Sequence, residues 1–390
     1  VTVEATMPTA AAKTSTSTAA APSWPELIGT LLAGEALDQA RTAWAMNEIM
    51  AGAATPAQIA GFAVALRAKG ETAAEIGGLI DGMLVHAAPL LVTDELRARA
   101  VDTCGTGGDR SNTVNISTMA ALVVAGAGVP VIKHGNRAAS SSCGSADLLA
   151  ELGVVVDLPP GGVAATLDRA GITFCFARVF HPAYRHLAAP RSEIGVPTAF
   201  NILGPLTNPA NPGAQAIGVA DPRLAPVVAQ VLADRGTRAL VFRGDDGLDE
   251  LSPVTTSSVW VITGDPAGTP RPPAGRPPTS RAAAPPRRER FDPRDVDIHV
   301  PDVAALRGAD APYNAAVARA VLAGEPGPVR DAVLLAAAAA LVAATGPTSA
   351  PMTDQIAAAL PHAAAALDSG AARATLEHWV SASQAAANAA

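Results

Sequence analysis

Val101-Asp102-Thr103-Cys104-Gly105-Thr106-Gly107-Gly108-Asp109 is the stretch on which the reading of this chain turns. Val101 to Cys104 reads as the end of a buried strand. The glycines at 105, 107 and 108 then let the backbone turn with its amides inward, where no Cβ blocks an anion. Downstream, Asn115-Ile116-Ser117-Thr118 opens the apolar run from Met119 to Gly128. Capping residues and free helix N-terminal amides at that place favour a second anionic group. Val129 to Ile132 reads as the next strand, and it delivers Lys133 and Arg137 of Lys133-His134-Gly135-Asn136-Arg137 beside the same pocket. A glycine turn alone is ordinarily a loop; in this order and spacing the elements read as a phosphate site.

From about residue 98 onward, short apolar runs alternate with helical stretches. Val129 to Ile132, Ile172 to Phe176, Ala216 to Val219, Ala239 to Phe242 and Val259 to Ile262 are compatible with buried strands. The helices between them imply a largely parallel sheet covered on both faces. The phosphate loops then fall at the carboxyl ends of strands, where open α/β sheets bind ligands.

Before residue 98 the pattern is helical. Ser23-Trp24-Pro25-Glu26, Thr55-Pro56-Ala57-Gln58 and Thr72-Ala73-Ala74-Glu75 each spell a capping box, and two carry Pro at the first helical position. Apolar residues follow at helical spacing: Leu27 and Leu31; Ile59, Phe62 and Leu66; Ile76, Ile80, Met83 and Leu84. So small a bundle cannot bury both faces of its helices, which leaves apolar surface for a partner. The expected organisation is a disordered tail over 1–22, a helical domain over 23–97 and a larger α/β domain over 98–390. Within the latter, 188–204 is expected to pack with the helical domain.

Composition narrows the function. At 390 residues with 49% hydrophobic side chains the chain can bury a sizeable core, and aromatics at only 3% point to helices packed through small contacts. A net charge of -7 argues against general nucleic-acid binding. Cys104, Cys143 and Cys175 are too scattered for a disulfide framework and read as small buried hydrophobes, which suits a reducing cytoplasm. The longest apolar run, Ala332 to Thr345, falls short of the ~20 residues that cross a bilayer, so no membrane span is expected.

The phosphate elements resemble the signature of anthranilate phosphoribosyltransferase, a family that joins anthranilate to phosphoribosyl pyrophosphate in tryptophan biosynthesis. The resemblance continues through Arg137-Ala138-Ala139-Ser140-Ser141, Gly144-Ser145-Ala146-Asp147 and Phe180-His181-Pro182-Ala183-Tyr184-Arg185-His186. Phe200 to Pro209 and Asp246-Gly247-Leu248-Asp249-Glu250 extend it in the same order. It implies donor contacts from Gly105, Gly108, Asp109, Thr113, Asn115, Ser117, Thr118, Lys133, Asn136, Arg137, Ser140, Ser141 and Ser145. It implies anthranilate contacts from Gly105, Asn136, His181, Tyr184, Arg191 and Gly204. Arg191 suits the carboxylate because a guanidinium forks onto two oxygens.

Asp249 and Glu250 follow a strand and a glycine-containing turn. Adjacent carboxylates on a turn are often merely solvated, but with phosphates at hand Mg²⁺ is the ion they would share. The resemblance assigns them, with Ser117, to two Mg²⁺ ions per monomer, and implies a homodimer formed through the helical domain. Displacing pyrophosphate from the anomeric carbon needs neutralised leaving-group charge and a placed nucleophile. The aromatic amine is already neutral, so no acid or base residue is assigned, and His134, His181 and His186 read as packing or hydrogen-bonding groups.

Some positions depart from the family pattern: Arg110 after the loop Asp, Arg178 where Pro usually follows Ala177, Cys143 for Ser, and Ala336 for Asn. Residues 264–294, rich in Pro, Ala and Arg, read as a disordered insertion without a role. Other readings are kept beside this one. A nucleoside phosphorylase of related architecture would carry Lys-His-Ser before its glycines. A paralogue could use another acceptor, and a nucleic-acid-binding non-enzyme would rest on the basic insertion alone.

Overall fold

The computed structural model describes residues 21–138, 142–264 and 284–389; most of the expected tail and the middle of the expected insertion lie outside them. The chain opens with α1 (Trp24–Leu32), α2 (Gln39–Met50), α3 (Pro56–Lys69), α4 (Ala73–Val85) and the short α5 (Asp94–Arg99). Thr55 and Thr72 form their capping boxes with Gln58 and Glu75. Ser23 makes no side-chain cap, contrary to the sequence expectation. Its would-be partner Glu26 is drawn instead to Arg41 on α2, at 3.2 Å.

The strands are β1 (Val101–Gly105), β2 (Val131–Gly135), β3 (Ile172–Phe176), β4 (Ala214–Gly218), β5 (Arg238–Gly244), β6 (Ser257–Ile262) and β7 (Arg287–Phe291). They form one sheet in the order β3-β2-β1-β4-β5-β6-β7. β3 through β5 run parallel, while β6 and β7 are antiparallel additions. The order reverses at β1, whose neighbours β2 and β4 lead away in opposite directions. Open α/β sheets form their ligand crevice at such a point.

β7 corrects the expectation of a disordered insertion over 264–294. Arg287 to Phe291 pairs with β6 from Ser257↔Phe291 to Val261↔Arg287, and Arg288 lies over the Trp260 ring at 5.3 Å. Its charged residues suggested a loop, but an edge strand buries little and is protected by such charges. Residues 265–283 lie outside the described part.

The remaining helices are α6 (Ile116–Gly126), α7 (Ser145–Glu151), α8 (Pro160–Ala170), α9 (Ala177–Phe180), α10 (Arg185–Ile194), α11 (Leu203–Leu206), α12 (Ala225–Asp234), α13 (Ala311–Leu322), α14 (Pro328–Thr345), α15 (Met352–Asp368) and α16 (Ala371–Asn388). Alternation along β5 sends Leu240 and Phe242 to one face, with α6, α13, α14 and α15. It sends Ala239 and Val241 to the other, with α12 and the N-terminal helices. Leu187, Phe200, Leu203 and Leu206 join that second cluster, so the N-terminal bundle and one face of the sheet share a continuous core. Arg67 of α3 bonds Asp221 beyond β4 at 2.8 Å across the same boundary.

α14 is apolar enough by length and composition to cross a membrane. Here it is a central packing helix, buried from Leu335 to Ala344 against the sheet and α6. Its run of alanines lets these backbones approach closely, and Ala336 is part of that contact, 3% exposed. All three cysteines are buried and none forms a disulfide.

Candidate active site

The glycine loop leaves β1 with Gly107 at φ 70° and Gly108 at φ 89°, the left-handed region that glycine enters freely. Thr106 N donates to Gly218 O at 3.0 Å and so extends the β1–β4 ladder into the loop. The Thr106 hydroxyl accepts from Ala220 N at 3.2 Å. Asp249 is wedged between the two strand ends, where its Oδ2 accepts from Gly107 N at 2.6 Å. A Cβ on Gly105 would lie 2.2 Å from that same oxygen, and one on Gly218 would lie 1.6 Å from Asp249 O. Glycine at both strand ends is therefore a packing requirement of the carboxylate turn.

Burial first, and then the charge of Asp109, push the Asp249 carboxyl up to about 7. Burial and Asp249 raise Glu250 well above its ordinary value, opposed by Lys133 and by a bond from the Ser117 amide. Lys133 is 2% exposed and donates to Thr103 O and, at 3.4 Å, to the Ser117 hydroxyl. The structure thus brings Asp109, Ser117, Lys133, Asp249 and Glu250 to one place. Mutual repulsion among the carboxylates suits a hard cation between them. Among the described residues no three of His, Cys, Asp and Glu meet closely enough to hold a metal unaided. Phosphate oxygens and water would have to complete its shell, as Mg²⁺ sites commonly require.

Helix α6 begins one residue before Ser117, so Ser117 and Thr118 lie in its first turn rather than before it. Asn115 occupies the N-cap position but makes no side-chain cap. Its amide donates to Cys143 O at 3.0 Å and accepts from Asn314 Nδ2 at 2.9 Å. Asn115 therefore braces the neighbouring loop, a job its local sequence did not announce. Thr118 is 1% exposed, and Thr113 forms an isolated bridge with Arg307.

Across β2 the second half of the site assembles. His134 Nδ1 bonds Gly204 O at 2.9 Å, and His181 Nε2 bonds Thr207 O at 2.8 Å. Because carbonyls only accept, these nitrogens carry the protons. The rings meet edge to face at 5.1 Å, and His134 Nε2 and His181 Nδ1 have no hydrogen-bond partner among the described residues. Burial lowers His134 to about 3 and His181 to about 4, so both stay neutral. Beneath them Asp102, fully buried, accepts from Asn208 Nδ2 at 2.9 Å and His134 N at 3.2 Å. Burial, opposed by Lys133, raises Asp102 to about 6.

The two buried histidines contribute to stability in a way that acid removes. A histidine with a depressed pKa stabilises fully above its unfolded value of 6.5 and loses that contribution as pH falls, because the unfolded chain takes up protons the native site refuses. Between pH 7 and pH 5 the pair should cost the fold roughly 4 kcal/mol. Protonation of Asp102, whose folded value is raised, returns roughly 1.4 kcal/mol over the same interval, and the raised carboxyls of Asp249 and Glu250 work in the same direction. The pair is read by difference: between pH 7 and pH 5 the Tm of His181→Asn should fall less, or rise more, than that of wild type, and an identical pH dependence in the two proteins would rule out a neutral buried His181.

Arg191 donates to the Tyr184 hydroxyl and lies over its ring at 5.4 Å, while Tyr184 donates to Phe200 O at 3.4 Å. Asn136 and Arg137 emerge, exposed, from the end of β2, and Ser145 starts α7 beside them, its hydroxyl on Asn136 O at 3.3 Å. Ser140 and Ser141 lie outside the described residues. Of the departures, Arg110 is exposed at φ 60°, a backbone that smaller residues adopt with less strain. Cys143 is buried and Arg178 is exposed on α9. Asp102, Asn208, Asn314 and Asp147 belong to the supporting structure and were missed in the sequence; Asp102, Asn208 and Asp147 lie within the quoted motifs.

A helical bundle packed on an α/β sheet, with a glycine loop and carboxylates at its switch point, is the architecture of a glycosyl transferase. Residues 25–87 match the helical bundle domain of the glycosyl transferase family, and residues 97–373 match its a/b domain. The anthranilate phosphoribosyltransferase of Frankia alni is 78% identical over 368 residues, covering 94% of this chain and 98% of that protein. A crystal structure of the Thermus thermophilus anthranilate phosphoribosyltransferase superposes with a TM-score of 0.79 at 39% identity, over 92% of this chain and 99% of that one. The Saccharomyces cerevisiae enzyme in complex with PRPP and Mg has the same fold, with a TM-score of 0.79 at 24% identity over 93% and 98% of the two chains. This chain belongs to the anthranilate phosphoribosyltransferase family.

Proposed function

We propose that the protein transfers the phosphoribosyl group of 5-phosphoribosyl 1-pyrophosphate to the amine of anthranilate, releasing pyrophosphate, as a step of L-tryptophan biosynthesis. The observation that carries this reading is the placement of Asp109, Asp249 and Glu250 against the glycine loop and the N-terminus of α6. Donor phosphates there meet backbone amides, Lys133 and Arg137. The assigned donor residues are Gly105, Gly108, Asp109, Thr113, Asn115, Ser117, Thr118, Lys133, Asn136, Arg137, Ser140, Ser141 and Ser145. Asp249, Glu250 and the Ser117 hydroxyl would hold Mg²⁺, two ions per monomer, which would neutralise the pyrophosphate as it departs.

The chain itself binds and orients. The acceptor amine is neutral at pH 7 and can attack without a base, so the task left to the chain is to hold that amine in line with the ribosyl carbon. Arg191, already oriented by Tyr184, is assigned to the anthranilate carboxylate, with Gly105, Asn136, His181, Tyr184 and Gly204 around the ring. Arg191→Ala should raise the KM for anthranilate at least about tenfold, as loss of a charge-assisted hydrogen bond would. The KM for the donor should hold; steady-state kinetics decide, and an unchanged KM for anthranilate would remove Arg191 from the acceptor site.

The exposed apolar side chains Leu32, Val85 and Leu91, at 74%, 57% and 81%, support a homodimer formed through the helical domain over 23–97. The reading places the enzyme in the cytoplasm. Anthranilate fluorescence, followed in time with donor and Mg²⁺, tests the activity. It should fall only in the complete mixture; a flat trace from folded protein would leave the acceptor assignment without support.

A further inference from the structure

We propose that Asp147 is a positioning residue for the phosphoribosyl donor, fixing Arg137 and tying the backbone at Ala138 to that at Gly144 in a narrow neck. The inference rests on the assignment of Arg137 to the donor. Asp147 stands in the first turn of α7, and its two oxygens are divided between two tasks. Oδ1 accepts from Arg137 Nη1 at 2.8 Å. Oδ2 accepts from Ala138 N at 2.9 Å and from Gly144 N at 3.0 Å, joining the two stretches of backbone.

The neck is tight. A Cβ on Gly144 would lie 2.4 Å from Ala138 N and 2.5 Å from Arg137 C, so only glycine lets the chain pass itself here. Ala146 N and the Ser145 hydroxyl both bond Asn136 O, at 3.2 and 3.3 Å. Cys143 O is held from the other side by Asn115, and Asn115 by Asn314. The neck is therefore anchored on α7, on α6 and on α13 together.

The Arg137 side chain is 54% exposed, whereas that of Asp147 is 22% exposed. An exposed arginine loses several rotamer freedoms when it grips a phosphate, and a carboxylate that holds it beforehand lowers that cost at binding. The guanidinium has five N–H donors. One N–H on Asp147 leaves the others for phosphate oxygens, and the Phe176 ring, 6.0 Å from the guanidinium carbon, flanks it. If Asp147 were only a cap for α7, its removal would weaken the fold without distinguishing donor from acceptor.

The test uses the full chain carrying Asp147→Asn, which keeps the size and an acceptor for the neck but loses the charge facing Arg137. The KM for phosphoribosyl pyrophosphate and the Kd for pyrophosphate with Mg²⁺ should both rise about tenfold, the worth of one hydrogen bond to a charged group. The KM for anthranilate and the Tm should stay near wild type. Arg137→Ala should weaken the donor in the same way, and adding Asp147→Asn to it should add little. Unchanged donor constants, or fully additive losses together with a fallen Tm, would overturn the proposal. Should Asp147→Asn not fold, Asp147→Glu carries the same expectation, since the extra methylene moves the charge off Arg137. Pyrophosphate calorimetry separates the two layers of inference. Wild-type protein that binds pyrophosphate but leaves anthranilate unreacted keeps the role of Asp147 testable while sinking the acceptor; wild-type protein that ignores pyrophosphate sinks the donor assignment itself.

Discussion

Glu250→Gln is expected to lower kcat by about a hundred- to a thousandfold, the range seen when a group stabilising developing charge is removed. The fold should survive intact. Burial and the neighbouring Asp249 hold the Glu250 carboxyl well above its ordinary value, with Lys133 only partly compensating. The folded chain therefore works against that charge when no cation is bound, and a neutral amide of nearly equal size relieves the strain. Tm in the absence of Mg²⁺ should match or exceed wild type while turnover collapses, and stabilisation by added Mg²⁺ with pyrophosphate should shrink. Turnover within a few-fold of wild type would take Glu250 out of the metal site.

Gly218→Ala should do comparable damage by purely steric means. The new methyl would sit 1.6 Å from Asp249 O and 2.3 Å from Asp249 C, where ordinary contact needs about 3.5 Å. Both neighbours are backbone, so no side chain can swing away; either the end of β4 or the Asp249 turn must move. A displacement of about 1 Å near reacting groups costs on the order of a hundredfold in rate, and the Tm should fall by a few degrees. Gly29→Ala is the control, because nothing lies within 4 Å of a Cβ there. That helical substitution should be neutral or slightly stabilising. Equal activity in Gly218→Ala and Gly29→Ala would mean that the close approach of β4 to the turn has no bearing on function.

Features carried by local pattern were legible in the sequence. β3 occurs at the residues its apolar run marks, and the boxes at Thr55 and Thr72 form as spelled. β7 escaped because an edge strand need not be apolar, and its charges lie along the outside. Ser23 misled because Glu26 found a nearer cation on α2.

At the site, the glycine loop and Asp249-Glu250 could be picked out separately. Their contact, Gly107 N on Asp249 Oδ2, joins residues far apart in the chain and exists only once β1 and β4 are neighbours. The same holds for Asn208 under β2 and for Asn314 behind Asn115. Residues that hold a site together take their meaning from which strands adjoin, and a linear pattern does not carry that information.

The core shared by the N-terminal bundle and one face of the sheet bears on how such a protein can be altered. Leu27, Phe62 and Leu79 belong to the same buried cluster as Ile217, Val241 and Trp260. The two family regions thus meet at residues 87 and 97 in the sequence without a corresponding seam in space. A bundle grafted from a relative would have to bring side chains shaped to this sheet, and the bundle cut away would leave the sheet with a bare apolar face. Inheritance of the two regions is tied together by packing, so they must change in step.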